Sequence, residues 1–196
     1  MGRVIVIEFL SLDGVMEDPD GRSGFERGGW AFRYGPEAVA GDKFNLGDLL
    51  NTGALLFGRR TWQHFAQLWP SRDDAFAAKM NAIAKLVVSR TLTRVDDWQH
   101  SQLLGRDLLV EVTTRKASQD LIVVGSASVA QTLIAHDLVD EFRLLVFPLV
   151  IGTGTRLFDS DIPIELELIS AERAGAAARL TYQRLRQSSV SEISTK

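Results

Sequence analysis

Short apolar runs recur along the chain, separated by longer amphipathic stretches. Residues 3–10 are rich in Val and Ile and alternate in polarity, which predicts a strand. Short apolar runs typical of strands buried on both faces lie at residues 54–58, 85–89 and 121–124, and a longer apolar strand is predicted over 142–150. Runs of this kind are typical of parallel sheets that helices cover on both sides.

The stretches between the apolar runs show helical spacing. We predict helices over residues 36–51, 61–67, 73–84, 107–117 and 126–136. Pro36 suits the first turn of the first helix, and Ser71 or Asp73 is the expected N-cap of the third. Residues 107–117 also have β propensity, but a cap at Asp107 favours the helix.

The remaining segments are loops and a C-terminal strand pair. Residues 21–35 are rich in glycine and 91–106 are polar and irregular, so both are predicted to be loops. Residues 165–173 and 176–185 predict two strands that pair through Ala174 and Gly175. The polar tail from Gln187 to Lys196 is predicted to be disordered.

The order of these elements predicts one α/β domain over residues 1–186, with a mainly parallel central sheet, flanking helices and an antiparallel C-terminal edge. The length of 196 residues and the hydrophobic fraction of 45% suit such a domain. The chain has no cysteine and three widely spaced histidines, which argues against disulfides and metal sites and fits a reducing cytoplasm. A net charge of −3 with scattered Lys and Arg argues against nucleic-acid binding. No apolar run approaches the ~18 residues of a membrane span.

Three of the predicted strands end in turns whose residue types suit phosphate groups. The turns are Gly58-Arg59-Arg60-Thr61, Ser89-Arg90 and Gly125-Ser126-Ala127-Ser128. Glycine lets the backbone approach a phosphate, the first amides of a helix attract anions, and arginine adds charged hydrogen bonds. Each turn by itself also fits ordinary turn chemistry, and the arginines also fit solvated surface positions.

The three turns together favour a nucleotide or phosphate binder, because ligands of open α/β sheets sit at the carboxyl ends of the strands. The small-residue turn at 125–128 suits a pyrophosphate. Arginines near a second turn suit the extra 2′-phosphate that distinguishes NADP from NAD. The full GxGxxG fingerprint is absent, so a standard Rossmann site has no support.

Longer segments resemble a known family. They are VIVIEFLSLDGVME (4–17), GGWAFRYG (28–35), ALLFGRRTWQHF (54–65), KLVVSRTL (85–92) and the long segment 120–158. Together they are similar to the dihydrofolate-reductase-like family, in the branch related to the reductase half of the bifunctional riboflavin-biosynthesis deaminase-reductase. The resemblance implies the three-layer fold of that family, NADPH as hydride donor, a small heterocyclic or carbonyl substrate such as the aminouracil of riboflavin biosynthesis, and a homodimer.

The resemblance also assigns the turns. It places 58–61 under the cofactor phosphates, Ser89 and Arg90 near the adenosine 2′-phosphate, and 125–128 beside the nicotinamide and pyrophosphate. The chain departs from dihydrofolate reductases at Ser126, which replaces the second glycine of a Gly-Gly pair with a cis peptide. It also lacks the zinc ligands of a deaminase, so any role in riboflavin synthesis would be the reduction step.

Five residues near the expected site are candidates for chemistry. Asp42 has a spacing from the first turn that resembles the pterin-binding carboxylate of dihydrofolate reductases; alternatively it is an exposed helix residue. Asp13, with Ser11 beside it, ends the first strand where a proton donor and substrate contact would lie, although Asp-Gly is also an ordinary turn. Trp30 either covers the substrate ring or anchors the long loop. Glu8 inside a strand implies an edge position or a role in the site.

Three hypotheses follow from the sequence. The leading one is a cytoplasmic NADPH-dependent reductase with no nucleic-acid or membrane partner. The second is a non-catalytic NADP-binding or regulatory protein that retains the fold. The third is an interaction module with vestigial turns.

Overall fold

A computed structural model of the chain describes residues 1–39, 46–47, 49–159 and 162–186. Within these ranges the strands are β1 (Val4–Ser11), β2 (Ala54–Gly58), β3 (Ala84–Val88), β4 (Ser101–Leu103), β5 (Leu121–Val124), β6 (Glu141–Phe147), β7 (Leu166–Ala174) and β8 (Ala177–Arg184). They form one sheet with the order β4-β3-β2-β5-β1-β6-β8-β7. The strands from β4 to β6 in this order are parallel, and β8 runs antiparallel to both β6 and β7. The predicted mainly parallel sheet with an antiparallel C-terminal edge is therefore confirmed.

Helices cover both faces of the sheet. In the described ranges they are α1 (Leu49–Thr52), α2 (Arg59–Leu68), α3 (Ala75–Ala82), α4 (Leu108–Lys116) and α5 (Ala127–Ala135), with a 3-10 turn at Ala31–Tyr34. None of these helices combines the length and apolar character that crossing a membrane requires.

Two apolar clusters separate the layers. On one face Val6, Leu56 and Val123 pack against α4 and α5, and on the other Ile7 and Phe57 pack against α1, α2 and α3. Complete burial of each such side chain contributes about 1.5–3 kcal/mol. The parallel strands need apolar residues on both faces because helices cover both, which explains the short continuous apolar runs of the sequence.

Helix caps explain where two of the helices begin. Asp107 accepts hydrogen bonds from the Leu109 and Val110 amides at 3.0 and 3.2 Å, which confirms helix over strand for this segment. The predicted cap of the third helix was wrong: Asp74 accepts from the amides of Phe76 and Ala77, and α3 starts at Ala75. The sequence offers several acidic or hydroxyl residues here, and only the backbone geometry selects one.

Other differences also have local causes. The segment predicted as irregular contains β4, a strand of three residues that is too short to show alternation. The strand predicted to reach residue 150 ends at Phe147, because Pro148 follows and has no amide hydrogen to donate. In the first predicted helix, residues 36–39 are helical; Asp42 lies outside the described residues, as does the tail 187–196.

Candidate functional site

The three predicted phosphate turns lie at one edge of the sheet. They follow β2, β3 and β5, which are parallel neighbours in the order β3-β2-β5. Their carboxyl ends therefore meet, as the sequence predicted. This edge is called the carboxyl edge below, and the opposite one the amino edge.

The first and third turns pack directly against each other. Gly58 ends β2 and caps α2 in an extended conformation, with φ −79° and ψ 164°. A Cβ at this position would lie 1.8 Å from Ser126 Oγ, so no side chain fits. On the other side of the contact, a Cβ at Gly125 would lie 2.9 Å from Thr61 Cγ2. Gly58 is therefore required by close approach and not by its φ angle.

The second turn joins the first through a side-chain hydrogen bond. Arg59 Nη1 donates to Thr91 Oγ1 at 2.7 Å. Ser89 Oγ accepts from the amides of Thr91 and Leu92 at 3.1 and 2.9 Å, which shapes the turn after β3. Arg60 and Arg90 are exposed beside this contact. The three turns thus form one continuous surface that carries three arginines.

The third turn has an unusual backbone. Gly125 has φ 70° and Ser126 has φ 82°, and no peptide bond of the described residues is cis. A residue with a side chain at such φ costs of order 1–3 kcal/mol and persists where its surroundings hold it. Ser126 caps α5 without a side-chain hydrogen bond. The amides of Ala127 and Ser128, which have no acceptor within the helix, open a site where the helix dipole favours an anion.

Glu8 supports this turn from inside the sheet. It is 8% exposed. Because β1 lies between β5 and β6, the predicted alternative, that Glu8 lies on an outermost strand of the sheet, is wrong. Its Oε1 accepts a hydrogen bond from the Gly125 amide at 2.8 Å. The structure therefore shows a carboxyl group that is bound to the third turn from within the sheet.

Asp13 is an ionised acceptor. Its carboxylate accepts from the amides of Ile151 and Gly152 at 3.0 and 2.8 Å and from Ser11 Oγ at 2.7 Å. Burial alone would raise the pKa of Asp13, but these hydrogen bonds lower it to about 2. Since such a group carries no proton at neutral pH, Asp13 suits holding the 151–152 backbone better than donating a proton.

Ser11 and Trp30 are both engaged inside the protein. Ser11 is 1% exposed, and its hydroxyl also accepts from the Val15 amide at 2.9 Å. Trp30 is fully buried, donates from Nε1 to the Glu17 carbonyl at 2.8 Å and packs edge-on against Phe147. Of the two roles predicted for Trp30, the structure supports the loop anchor. Substrate contact by either side chain would require it to leave these positions.

Contacts between residues that are distant along the chain hold the loops beside the site. Arg156 Nε donates to the Asp13 carbonyl at 3.1 Å, and Arg27 donates to the Ile151 carbonyl. His64 Nε2 on α2 lies 2.9 Å from Asp20 Oδ2, which joins the long loop to the helix after the first turn. No spacing in the sequence indicates these pairs, because the partners are far apart along the chain.

Comparison with known proteins places this arrangement in a family. Residues 3–180 match the model of the RibD C-terminal domain. The chain belongs to the RibD C-terminal domain family. Membership supports a reductase-type role and confirms the branch that the sequence resembled. A curated relative, the uncharacterized protein YyaP of Bacillus subtilis (strain 168), is 28% identical over 177 residues, which cover 86% of this chain and 87% of YyaP.

Solved structures share the fold. A putative riboflavin biosynthesis protein from Shewanella sp. PV-4 is 21% identical, with a TM-score of 0.65 over 94% of this chain and 99% of that one. A pyrimidine reductase-like protein from Corynebacterium diphtheriae is 12% identical, with a TM-score of 0.64 over 94% of this chain and 92% of that one. RibD of Acinetobacter baumannii is 15% identical, with a TM-score of 0.61; the match covers 95% of this chain but 59% of RibD. At these identities the likeness concerns the fold alone.

Proposed function

We propose that this protein is an NADPH-dependent reductase that transfers a hydride to a small heterocyclic or carbonyl substrate. The convergence of the three turns carries the proposal: Gly58 packs on Ser126, Thr61 packs on Gly125, and Arg59 bonds to Thr91. Family membership supports the reductase role. The names of two similar solved proteins, which refer to riboflavin biosynthesis and pyrimidine reduction, support a heterocyclic substrate.

The residues at the carboxyl edge fit a phosphorylated dinucleotide. Arg59, Arg60 and Arg90 would hold the 2′-phosphate, to which guanidinium groups bind bidentately. The amides that open α5 would hold the pyrophosphate, and the absent Cβ of Gly58 lets Ser126 pack directly against the end of β2. NADPH supplies the hydride when bound, and the protein supplies orientation and electrostatics.

The protein's own part near the reacting end is orientation. Asp13 fixes the Ile151 and Gly152 amides, and Glu8 fixes the Gly125 amide. Because Asp13 is ionised, we propose that the proton for the reduced substrate comes from another acid or from an ordered water. Asp42, whose spacing resembles that of the pterin-binding carboxylate of dihydrofolate reductases, is our candidate for such an acid.

A thermal-shift comparison tests the cofactor assignment. We expect NADPH to raise the melting temperature more than NADH does, because only NADPH carries the 2′-phosphate. Arg59→Ala and Arg90→Ala should each reduce NADPH affinity about tenfold, the usual effect of losing a charge-assisted hydrogen bond, and should bring it close to that for NADH. Arg173→Ala, an exposed arginine on β7, is the matched control. Equal stabilisation of the wild type by both dinucleotides would contradict the proposal.

Ser126, which has φ 82° and stands where dihydrofolate reductases have a glycine, motivates one alternative, a protein that binds NADPH without reducing a substrate. NADPH oxidation followed at its nicotinamide absorbance, with a panel of pterins, aminopyrimidines and quinones, separates the two. Turnover of any of them establishes a reductase. Tight NADPH binding without oxidation across the panel would favour the alternative.

A further inference from the structure

Glu8 occupies a position where an apolar residue would be expected. On β1, residues Val4, Val6 and Leu10 face the cluster under α4 and α5, and alternation along the strand puts Glu8 on the same face. A carboxyl group buried there is unfavourable unless it is hydrogen-bonded. Its bond to the Gly125 amide satisfies one oxygen, and places the group directly beneath the third turn.

That turn needs support from outside itself. Gly125 and Ser126 have consecutive positive φ angles, and Ser126 adopts its value with a side chain. Thr61 and Gly58 restrain the turn by packing, whereas Glu8 binds the amide of its first residue. A hydrogen bond fixes the orientation of the peptide plane, which packing contacts leave freer. The direction of the amides that follow Gly125 depends on that plane.

We propose that Glu8 is a positioning residue for the bound dinucleotide. Its carboxyl oxygen holds the Gly125 amide, and thereby aims the turn and the first amides of α5 at the pyrophosphate and nicotinamide end of the cofactor. The inference rests on the proposed function. It makes a distinct claim, because Glu8 acts on the nicotinamide end and the arginines of the other turns act on the 2′-phosphate end.

Three substitutions separate the effect of the length of the Glu8 side chain from the effect of its charge. Glu8→Gln keeps the length and an acceptor oxygen but removes the charge. Glu8→Asp keeps the charge but shortens the side chain by one methylene, so that its oxygen no longer reaches the amide. Glu8→Ala removes both. Asp140→Asn is the matched control, because Asp140 also accepts from a backbone amide, that of Val4 at 2.7 Å, but at the amino edge of the sheet.

Two probes report on the two ends of the cofactor. NADPH spans the whole site, whereas adenosine 2′,5′-bisphosphate lacks the nicotinamide end. Dissociation constants for both are measured by calorimetry, and the fluorescence lifetime of bound NADPH reports how rigidly the nicotinamide is held. Neither readout needs a known substrate.

We expect Glu8→Asp and Glu8→Ala to weaken NADPH binding about tenfold, the effect of losing one hydrogen bond of ordinary strength. Binding of adenosine 2′,5′-bisphosphate should change less than about twofold, and the lifetime of bound NADPH should fall toward that of the free cofactor. Glu8→Gln should retain wild-type affinity for both probes. Asp140→Asn should lower the melting temperature without changing either dissociation constant.

If Glu8 had a purely structural role, its substitution would weaken the binding of both probes equally or of neither probe. Either result would overturn the inference. Loss of affinity in Glu8→Gln equal to that in Glu8→Asp would also overturn it, because the charge and not the reach would then matter. If Glu8→Ala does not fold, the pair of Gln and Asp variants still decides. Failure of the wild type to bind either probe would instead refute the proposed function.

Discussion

The charged residues at the two edges of the sheet differ in whether they form ion pairs. At the amino edge, Arg3 pairs with Asp120 and Glu141, and Asp140 pairs with Lys116 and Arg186. At the carboxyl edge, Arg59, Arg60 and Arg90 form no ion pair with any of the residues that the structure describes.

This difference separates charges that stabilise the fold from charges that suit a ligand. The charged residues at the amino edge form ion pairs with one another, so removing one of them should lower the free energy of unfolding. The carboxyl-edge arginines lie beside open helix amides and a glycine turn, so a bound phosphate group would act as their anionic partner. Stability measurements on variants at each edge therefore test this difference.

The largest expected effect is at the amino edge. Burial alone would raise the pKa of Asp140, but hydrogen bonds from Lys116, the Val4 amide and Arg186 lower it. Asp140→Ala leaves the Lys116 ammonium, 11% exposed, without this partner, and should lower the free energy of unfolding by about 3 kcal/mol. Urea denaturation measures the loss. A change below about 0.5 kcal/mol would show that this network does not stabilise the fold.

The next effect is expected at the contact between the phosphate turns. Gly58→Ala would put a methyl group 1.8 Å from Ser126 Oγ, and should destabilise the protein by about 2–3 kcal/mol through overpacking. Ser126→Gly removes the clashing hydroxymethyl group and tolerates positive φ. The double variant should therefore be more stable than Gly58→Ala alone. Thermal unfolding of the wild type, the two single variants and the double variant gives the coupling energy. If the effects of the two substitutions on stability simply add, the contact is contradicted.

The smallest effect concerns Lys85, a buried cation near the amino edge. Its Nζ donates to the carbonyls of Asn81 and Gln99 at 2.7 and 3.0 Å, and lies 4.4 Å from the centre of the Trp98 ring. Burial lowers the pKa of Lys85 from 10.5 to about 8. The unfolded chain therefore binds more protons than the folded one between these values, so stability rises with pH across this window.

We expect stability to rise by at most about 1.4 kcal/mol per pH unit across this window, and the rise to disappear in Lys85→Met. Urea denaturation between pH 7.5 and 10.5 (a range of about three units that spans the shift) measures it. Lys79→Met, an exposed lysine on α3, should keep the rise. Stability that falls with pH in the wild type, in a manner that depends on Lys85, would contradict the assignment.

Local patterns predicted most elements correctly, and the errors show which features local patterns do not specify. The strands at 54–58 and 121–124 and the helix capped by Asp107 depend on neighbouring residues, so the sequence indicates them directly. By contrast, β4 exists because β3 offers it hydrogen bonds, and Asp74 caps α3 in a run of similar residues. The fully buried Trp30 illustrates the same limit, because two roles were compatible with its place in a glycine-rich loop.

The layered α/β fold, the residues of the three turns and the edge that the turns share follow from the amino-acid sequence, because strand and helix periodicity and the direction of parallel strands are properties of local pattern. The contacts of the carboxyl groups, by contrast, follow only from the folded structure. Asp13 is held by amides 138 and 139 positions away, and Glu8 by an amide 117 positions away. Hydrogen bonds between such distant residues exist only after the strands have paired, so no spacing along the chain could reveal them.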